Sequence, residues 1–87
     1  MSYKILFSKK VLKDIRKIPK PILIRIKERI LSLQTDPRPN TSTKLSGQDN
    51  LYRIRINNYR VIYTIQDSIR IITIIKIAHR KKVYRNF

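Results

Sequence analysis

The residues best equipped for chemistry are basic and gather in the C-terminal half of the chain. They are Arg53, Arg55 and Arg60, then the run His79-Arg80-Lys81-Lys82-Val83-Tyr84-Arg85, with Lys44 ahead of them. Guanidinium groups grip phosphate through paired, planar hydrogen bonds and stabilise charge that builds up at phosphorus. A ring set among cations suits single-stranded RNA, because it can stack on an unpaired base while the cations hold phosphates. On that reasoning Lys44, His79, Lys81, Lys82 and Arg85 are candidate RNA contacts. Metal-free RNA cleavage asks for more: the 2′-hydroxyl attacks the adjacent phosphate, so a base must take its proton and an acid must serve the leaving oxygen. The chain has one histidine, and its five carboxylates, Asp14, Glu28, Asp36, Asp49 and Asp67, all lie outside the arginine-bearing segments. Charge stabilisation by Arg53, Arg55, Arg60 and Arg80 would therefore dominate, with the RNA positioned by a larger body. For the base, His79 is the group that titrates near neutrality, and Lys44, Lys81 or Lys82 could serve if neighbouring cations lowered their pKa. His79 is equally suited to capping a strand end.

Composition narrows the classes. Twenty-one Lys and Arg against five Asp and Glu leave a formal charge of +16, an excess that opposes compaction and usually reports a polyanionic partner. Cysteine is absent, which rules out disulfides and thiolate metal sites, and a single histidine argues against a protein-only zinc site. No metal and no small-molecule cofactor are expected. The 87 residues fit one domain, residues 1–87, with one core. The N-terminus lacks the apolar run of a secretion signal, and the longest apolar stretches, such as Ile71 to Ile75, are far too short to span a bilayer. A soluble, cytoplasmic protein without membrane attachment is the expectation.

Residues 3–7, Y-K-I-L-F, alternate as a short strand. Ser8 can cap a helix in which Val11, Leu12, Ile15 and Ile18 form the apolar face, while Lys9, Lys10, Lys13, Arg16 and Lys17 fall mostly on the other. Pro19 and Pro21 end it and open a second helix, with Ile22, Ile26, Ile30 and Leu33 as its stripe and Arg25, Glu28 and Arg29 facing water. Residues 34–50 hold two prolines, the only glycine and one large apolar residue, Leu45, so they read as a long loop. The period then changes to two. Leu51 to Ile56, Tyr59 to Gln66 and Ile69 to Ala78 are strands, joined by two-residue turns at Asn57-Asn58 and Asp67-Ser68. The expected fold is α+β, in the order β-α-α-β-β-β: a helical hairpin packed on a small, mainly antiparallel four-stranded sheet.

A two-residue turn at Asn57-Asn58 sets Ile56 opposite Tyr59, Arg55 opposite Arg60, Ile54 opposite Val61, Arg53 opposite Ile62 and Tyr52 opposite Tyr63. Opposed residues share a face. One face is then Tyr52, Ile54, Ile56, Tyr59, Val61 and Tyr63, the side for the helices. The other carries Arg53, Arg55 and Arg60, a like-charge cluster that a bound phosphate would turn from repulsion into hydrogen bonding. In the strand from Ile69, Ile71, Ile72, Ile74, Ile75 and Ile77 are apolar on both faces, so alternation does not say which way Arg80 points.

From end to end these residues resemble the RelE/ParE toxin superfamily: a short strand opening with Tyr3, a basic helical hairpin, a loop ending K-L-S-G at Lys44 to Gly47, then L-Y-R-I-R-I, N-N-Y-R-V-I-Y and a closing H-R-K-K-V-Y. The interval from Arg80 to Tyr84 is a residue shorter than in some members. The resemblance implies a toxin of a type II toxin–antitoxin system that cuts mRNA on the ribosome. By position it implies Arg60 at the scissile phosphate, and Arg80 and Tyr84 at the leaving group and stacked on a codon base. Arg53 and Arg55 match a pair of strand residues that are often lysines, one of them proposed as general base. Arginine, with a pKa above about 12, is a poor base, so the charge-stabilising roles carry over and the base does not. The resemblance also implies a cognate antitoxin that wraps the toxin, and a +16 toxin suits an acidic wrapping segment. ParE-type members instead poison DNA gyrase and lack the nuclease residues. Outside the family, a ribosome-associated RNA-binding protein that cuts nothing would share the same charge.

Overall fold

The computed structural model describes residues 2–45, 47 and 50–80. Its elements run β1 (Lys4–Phe7), α1 (Lys9–Ile15), α2 (Lys20–Ser32), β2 (Thr43–Lys44), β3 (Leu51–Ile56), β4 (Tyr59–Gln66) and β5 (Ile71–His79). The five strands form one sheet in the order β1-β5-β4-β3-β2, antiparallel throughout except where β1 runs parallel to β5. This is the expected α+β fold with one strand more than the sequence suggested. The addition is β2, whose two residues pair with Arg53 and Tyr52 and are too few to show alternation.

Local chemistry explains the helix limits. Ser8 caps α1, its Oγ accepting from the Val11 N–H at 3.3 Å, and α2 starts behind Pro19 with Pro21 in its first turn, where a missing N–H costs nothing. Val11, Ile18, Ile26, Ile30 and Leu33 enter the core beneath the sheet with Ile54, Val61, Tyr63, Ile72, Ile74 and Ile77. Leu12 does not: it is 54% exposed, because it stands one residue round the helix from Val11, outside the stripe that Val11, Ile15 and Ile18 define. No helix among the described residues is long and apolar enough to cross a membrane.

The β3–β4 hairpin has the register the turn implied, with all five expected pairs in place. Asn57 takes a left-handed φ of 54°, which asparagine tolerates better than most residues. The β4–β5 turn differs from expectation. It holds four residues, Asp67 to Arg70, closed by the Arg70 N–H on the Asp67 carbonyl at 3.3 Å, so Gln66 pairs with Ile71 and Ile69 is left exposed. Further on, Tyr63 pairs with Ile74 but Ile62 with Lys76, leaving Ile75 as a bulge. That extra residue moves the core parity from Ile72 and Ile74 to Ile77, which is why the isoleucine run looked two-faced. Ile75 joins Leu51, Ile62, Leu45 and Ala78 in a smaller apolar cluster separate from the main core.

The loop after α2 is fastened rather than loose. The Tyr63 hydroxyl donates to the Pro37 carbonyl at 2.8 Å, and burial pushes that phenol up to about 12. Arg38 donates to both oxygens of Asp67, at 3.2 and 2.7 Å, and through Nε to the Tyr52 hydroxyl at 3.0 Å. The Tyr3 hydroxyl donates to Asp67 as well, at 2.6 Å, and these two donors hold the Asp67 carboxyl down at about 2.

Candidate nucleic-acid interface

Alternation in β3 and the register of the hairpin decide which side chains share the surface opposite the helices. Ile54, Ile56, Val61 and Tyr63 are buried in the main core, so their neighbours Arg53, Arg55 and Arg60 are turned to the other side. Arg55 and Arg60 are direct partners, which places their Cβ atoms about 5 Å apart. Arg55 is exposed and Arg60 half-buried, with Nη1 on the Tyr59 carbonyl at 3.3 Å. Arg53 is half-buried and donates from Nη2 to Thr43 Oγ1 at 3.0 Å. The short β2 strand therefore orients Arg53, and Thr43 is a site residue that sequence reasoning missed, since a lone threonine in a polar loop gives no signal.

Arg80 completes the cluster. Its N–H donates to the Asn58 carbonyl at 2.7 Å, extending the ladder past the Tyr59–His79 pair. It stands two residues beyond Ala78, the partner of Arg60, so strand alternation carries it to the Arg60 side. Arg53 and Arg60 thus stand beside Ile62 and Ala78 of the apolar patch as their pairing partners, with Arg55 and Arg80 on the same face by alternation. A phosphate can be gripped by the guanidinium forks while a base lies on the apolar surface between them.

Two expected contacts lie elsewhere. Lys44 pairs with Tyr52, so it shares the face of Tyr52 and not that of the arginines. His79 pairs with Tyr59 on the helix side, its ring edge-on to the tyrosine at 5.6 Å. There it lines a recess of about 400 Å³ with Lys10, Asp14, Lys17 and Lys76. Neither residue is placed with the arginine cluster. Lys81, Lys82, Tyr84 and Arg85 lie outside the described residues. Arg55 also borders a shallow hollow with Arg25, Glu28 and Arg29 of α2, which carries the positive potential round the sheet end. The described carboxylates sit in α1, α2, the loop and the β4–β5 turn, and no three metal-ligating side chains gather among the described residues.

Known proteins share this sequence and architecture. A family model described as the ParE toxin of the type II toxin–antitoxin system, parDE, matches residues 5–84. The chain is similar to the putative toxin RelE1 of Methanocaldococcus jannaschii, 38% identical over 89 residues that cover 99% of each protein. It is also similar to a chain of the archaeal RelE–RelB complex from Pyrococcus horikoshii OT3, with a TM-score of 0.83, 32% identity and coverage of 95% of this chain and 100% of that one. A chain of the RelB–RelE antitoxin–toxin complex from Methanococcus jannaschii matches at TM-score 0.79 and 33% identity, over 94% of this chain and 98% of that one.

Proposed function

The chain belongs to the RelE/ParE family of toxins of type II toxin–antitoxin systems, and from that premise we propose that it is a single-domain, ribosome-dependent endoribonuclease that cuts mRNA at the decoding site. The observation that carries this reading is the concentration of Arg53, Arg55, Arg60 and Arg80 on one sheet face by the β3–β4 register and the extended β5 ladder. In the proposed reaction the RNA 2′-hydroxyl gives its proton to water as its oxygen bonds to phosphorus, and the bond to the 5′-oxygen breaks as that oxygen takes a proton from water, leaving a 2′,3′-cyclic phosphate and a 5′-hydroxyl with no metal required. Arg60 holds the scissile phosphate and Arg80 steadies charge on the leaving oxygen, while Arg53 and Arg55 neutralise the pentacovalent state. Tyr84 stacks on a codon base. The ribosome supplies the positioning that so small a surface lacks.

In the cytoplasm, a cognate antitoxin with an acidic segment would hold the toxin inactive. This rests on the two similar archaeal chains being components of RelE–RelB complexes and on the +16 charge.

The deciding experiment incubates the purified chain with programmed ribosomes and maps cuts by primer extension. Cleavage in the decoding site is expected from the native chain and is lost in Arg60→Ala, while the folded state is retained. Wild-type cleavage by a folded Arg60→Ala protein refutes the assignment. The ParE description of the matching family model favours a second reading, inhibition of DNA gyrase; blocked supercoiling with intact mRNA would establish it.

A further inference from the structure

The recess on the helix side of the sheet end is not used by the proposed cleavage chemistry, and a buried lysine lines it. Its wall is Lys10 and Lys17 of the α1 segment on one side and Lys76 and His79 of β5 on the other, with Tyr59 at the sheet end. Lys10, Asp14 and Lys17 recur at the spacing of one helical face. Asp14 is the one carboxylate among the described residues of the lining, beside the three lysines. Lys76 is only 6% exposed, in a strand otherwise given to isoleucine, at the bulge where Ile75 falls out of register. A lysine kept at so buried a position costs desolvation that methionine or isoleucine would avoid. Burial, with Lys10 adding to it, pulls the Lys76 pKa down, and Asp14 opposes this without cancelling it. An anion entering the recess would reverse both effects.

We propose that this recess binds a phosphodiester of an RNA backbone, at a second site distinct from the arginine face. The inference rests on the reading of the arginine face as an RNA surface. Its location favours that partner. Tyr59 and His79 line the recess while their chain neighbours Arg60 and Arg80 belong to the opposite face, so a strand passing over this end of the sheet meets cations on both sides. The paired rings of Tyr59 and His79 offer the nucleotide an aromatic wall beside the lysines. Two sources share the chemistry, the message strand and ribosomal RNA.

The test uses the full chain and a fluorescent, uncleavable 2′-O-methyl oligoribonucleotide, with affinity measured against salt. Single-stranded RNA contributes a slope of about −0.7 in log K against log salt per neutralised phosphate. The double variant Lys10→Gln/Lys17→Gln is expected to bind more weakly, with a slope shallower by about 0.7. The near-isosteric Lys76→Met should shift in the same direction and remain folded by circular dichroism. Lys9→Gln/Lys13→Gln, with the same charge loss on the same helix but outside the recess, should change the slope by less than half as much. Weakened binding of the free oligonucleotide assigns the site to the message; loss confined to vacant ribosomes assigns it to ribosomal RNA. Recess variants that match the control in both assays overturn the proposal, as does a loss seen only in binding an acidic antitoxin. Arg60→Ala in parallel separates the two readings. If it stops cleavage while recess variants are silent, only the recess falls; if it cleaves normally while recess variants flatten the salt slope, only the arginine-face role falls.

Discussion

Replacing Arg55 by Gln should make this protein more stable. Arg55 faces Arg60 directly across the β3–β4 pair, and its other charged neighbours in the hollow beside α2 are Arg25, Arg29 and a single acid, Glu28. At a Cβ spacing of ~5 Å two unit charges repel by ~0.8 kcal/mol in water and ~3 kcal/mol at an effective dielectric of 20. Splaying the long side chains to ~8 Å reduces these to ~0.5 and ~2 kcal/mol. Arg55 is exposed, so the lower values govern, and Glu28 is outweighed by the two α2 arginines. The expected gain is ~0.5–1 kcal/mol at low salt, a rise in melting temperature of roughly 2–8 °C for a chain of this size. At 1 M salt the screening length falls to ~3 Å and the gain should vanish. Urea and thermal melts at low and high salt measure it. Lys4→Gln, which removes the same unit charge from the exposed far edge of the sheet, is the reference for the general effect of lowering +16. A midpoint that falls at low salt, or a gain that survives 1 M salt, refutes the argument that this face stores repulsion for a phosphate to relieve.

Three further outcomes follow from packing and titration. Ile54→Ala, beside Arg55 in sequence but wholly buried, should cost ~2–5 kcal/mol in a denaturant melt; indifference there would mean the two faces of the hairpin are misassigned. Tyr63→Phe removes only the hydroxyl that holds Pro37 and should cost ~1 kcal/mol by the same measurement, with an unaltered stability showing that the loop does not depend on this tether. The Asp67 carboxyl is held at about 2 by Arg38 and Tyr3 against an ordinary 3.8. A depressed folded pKa contributes stability that is complete above pH ~4 and lost as the pH falls towards 2. Wild type should therefore exceed Asp67→Asn in stability at pH 5 and converge on it near pH 2; a gap that does not change with pH contradicts this.

The parts of the fold legible from sequence were those where turn chemistry and alternation agreed. Asn57-Asn58 set the hairpin length, and Tyr52 to Tyr63 alternated cleanly on both arms, so the partners of Arg53, Arg55 and Arg60 followed. β5 resisted the same treatment for a physical reason. Its isoleucines serve two apolar clusters on opposite faces, and the bulge at Ile75 breaks the parity between them, so no count from Ile69 could tell where Arg80 points. Only the ladder bond from Arg80 to Asn58 resolves it. Thr43 and Lys44 were opaque because a two-residue strand has no period from which either residue's face could be read. The lysines of α1 read as a solvated surface. Lys76 gave no signal in the sequence, because a single lysine in an isoleucine-rich strand does not show which way it points.

The parallel pairing of β1 with β5 has a consequence for how the protein is born. Lys4 to Phe7 are made well before their hydrogen-bond partners, Ile71 to Ile74. The β3–β4 hairpin can close as soon as its turn is made, whereas closure of the sheet and arrival of Arg80 wait for residues 71–80. Non-local pairing of this kind is slow. Until β5 joins β4, therefore, Arg53, Arg55 and Arg60 stand on a hairpin that lacks its neighbouring strand. β1 waits on the same strand, so one event both closes the sheet and brings Arg80 to the face that carries the other three arginines.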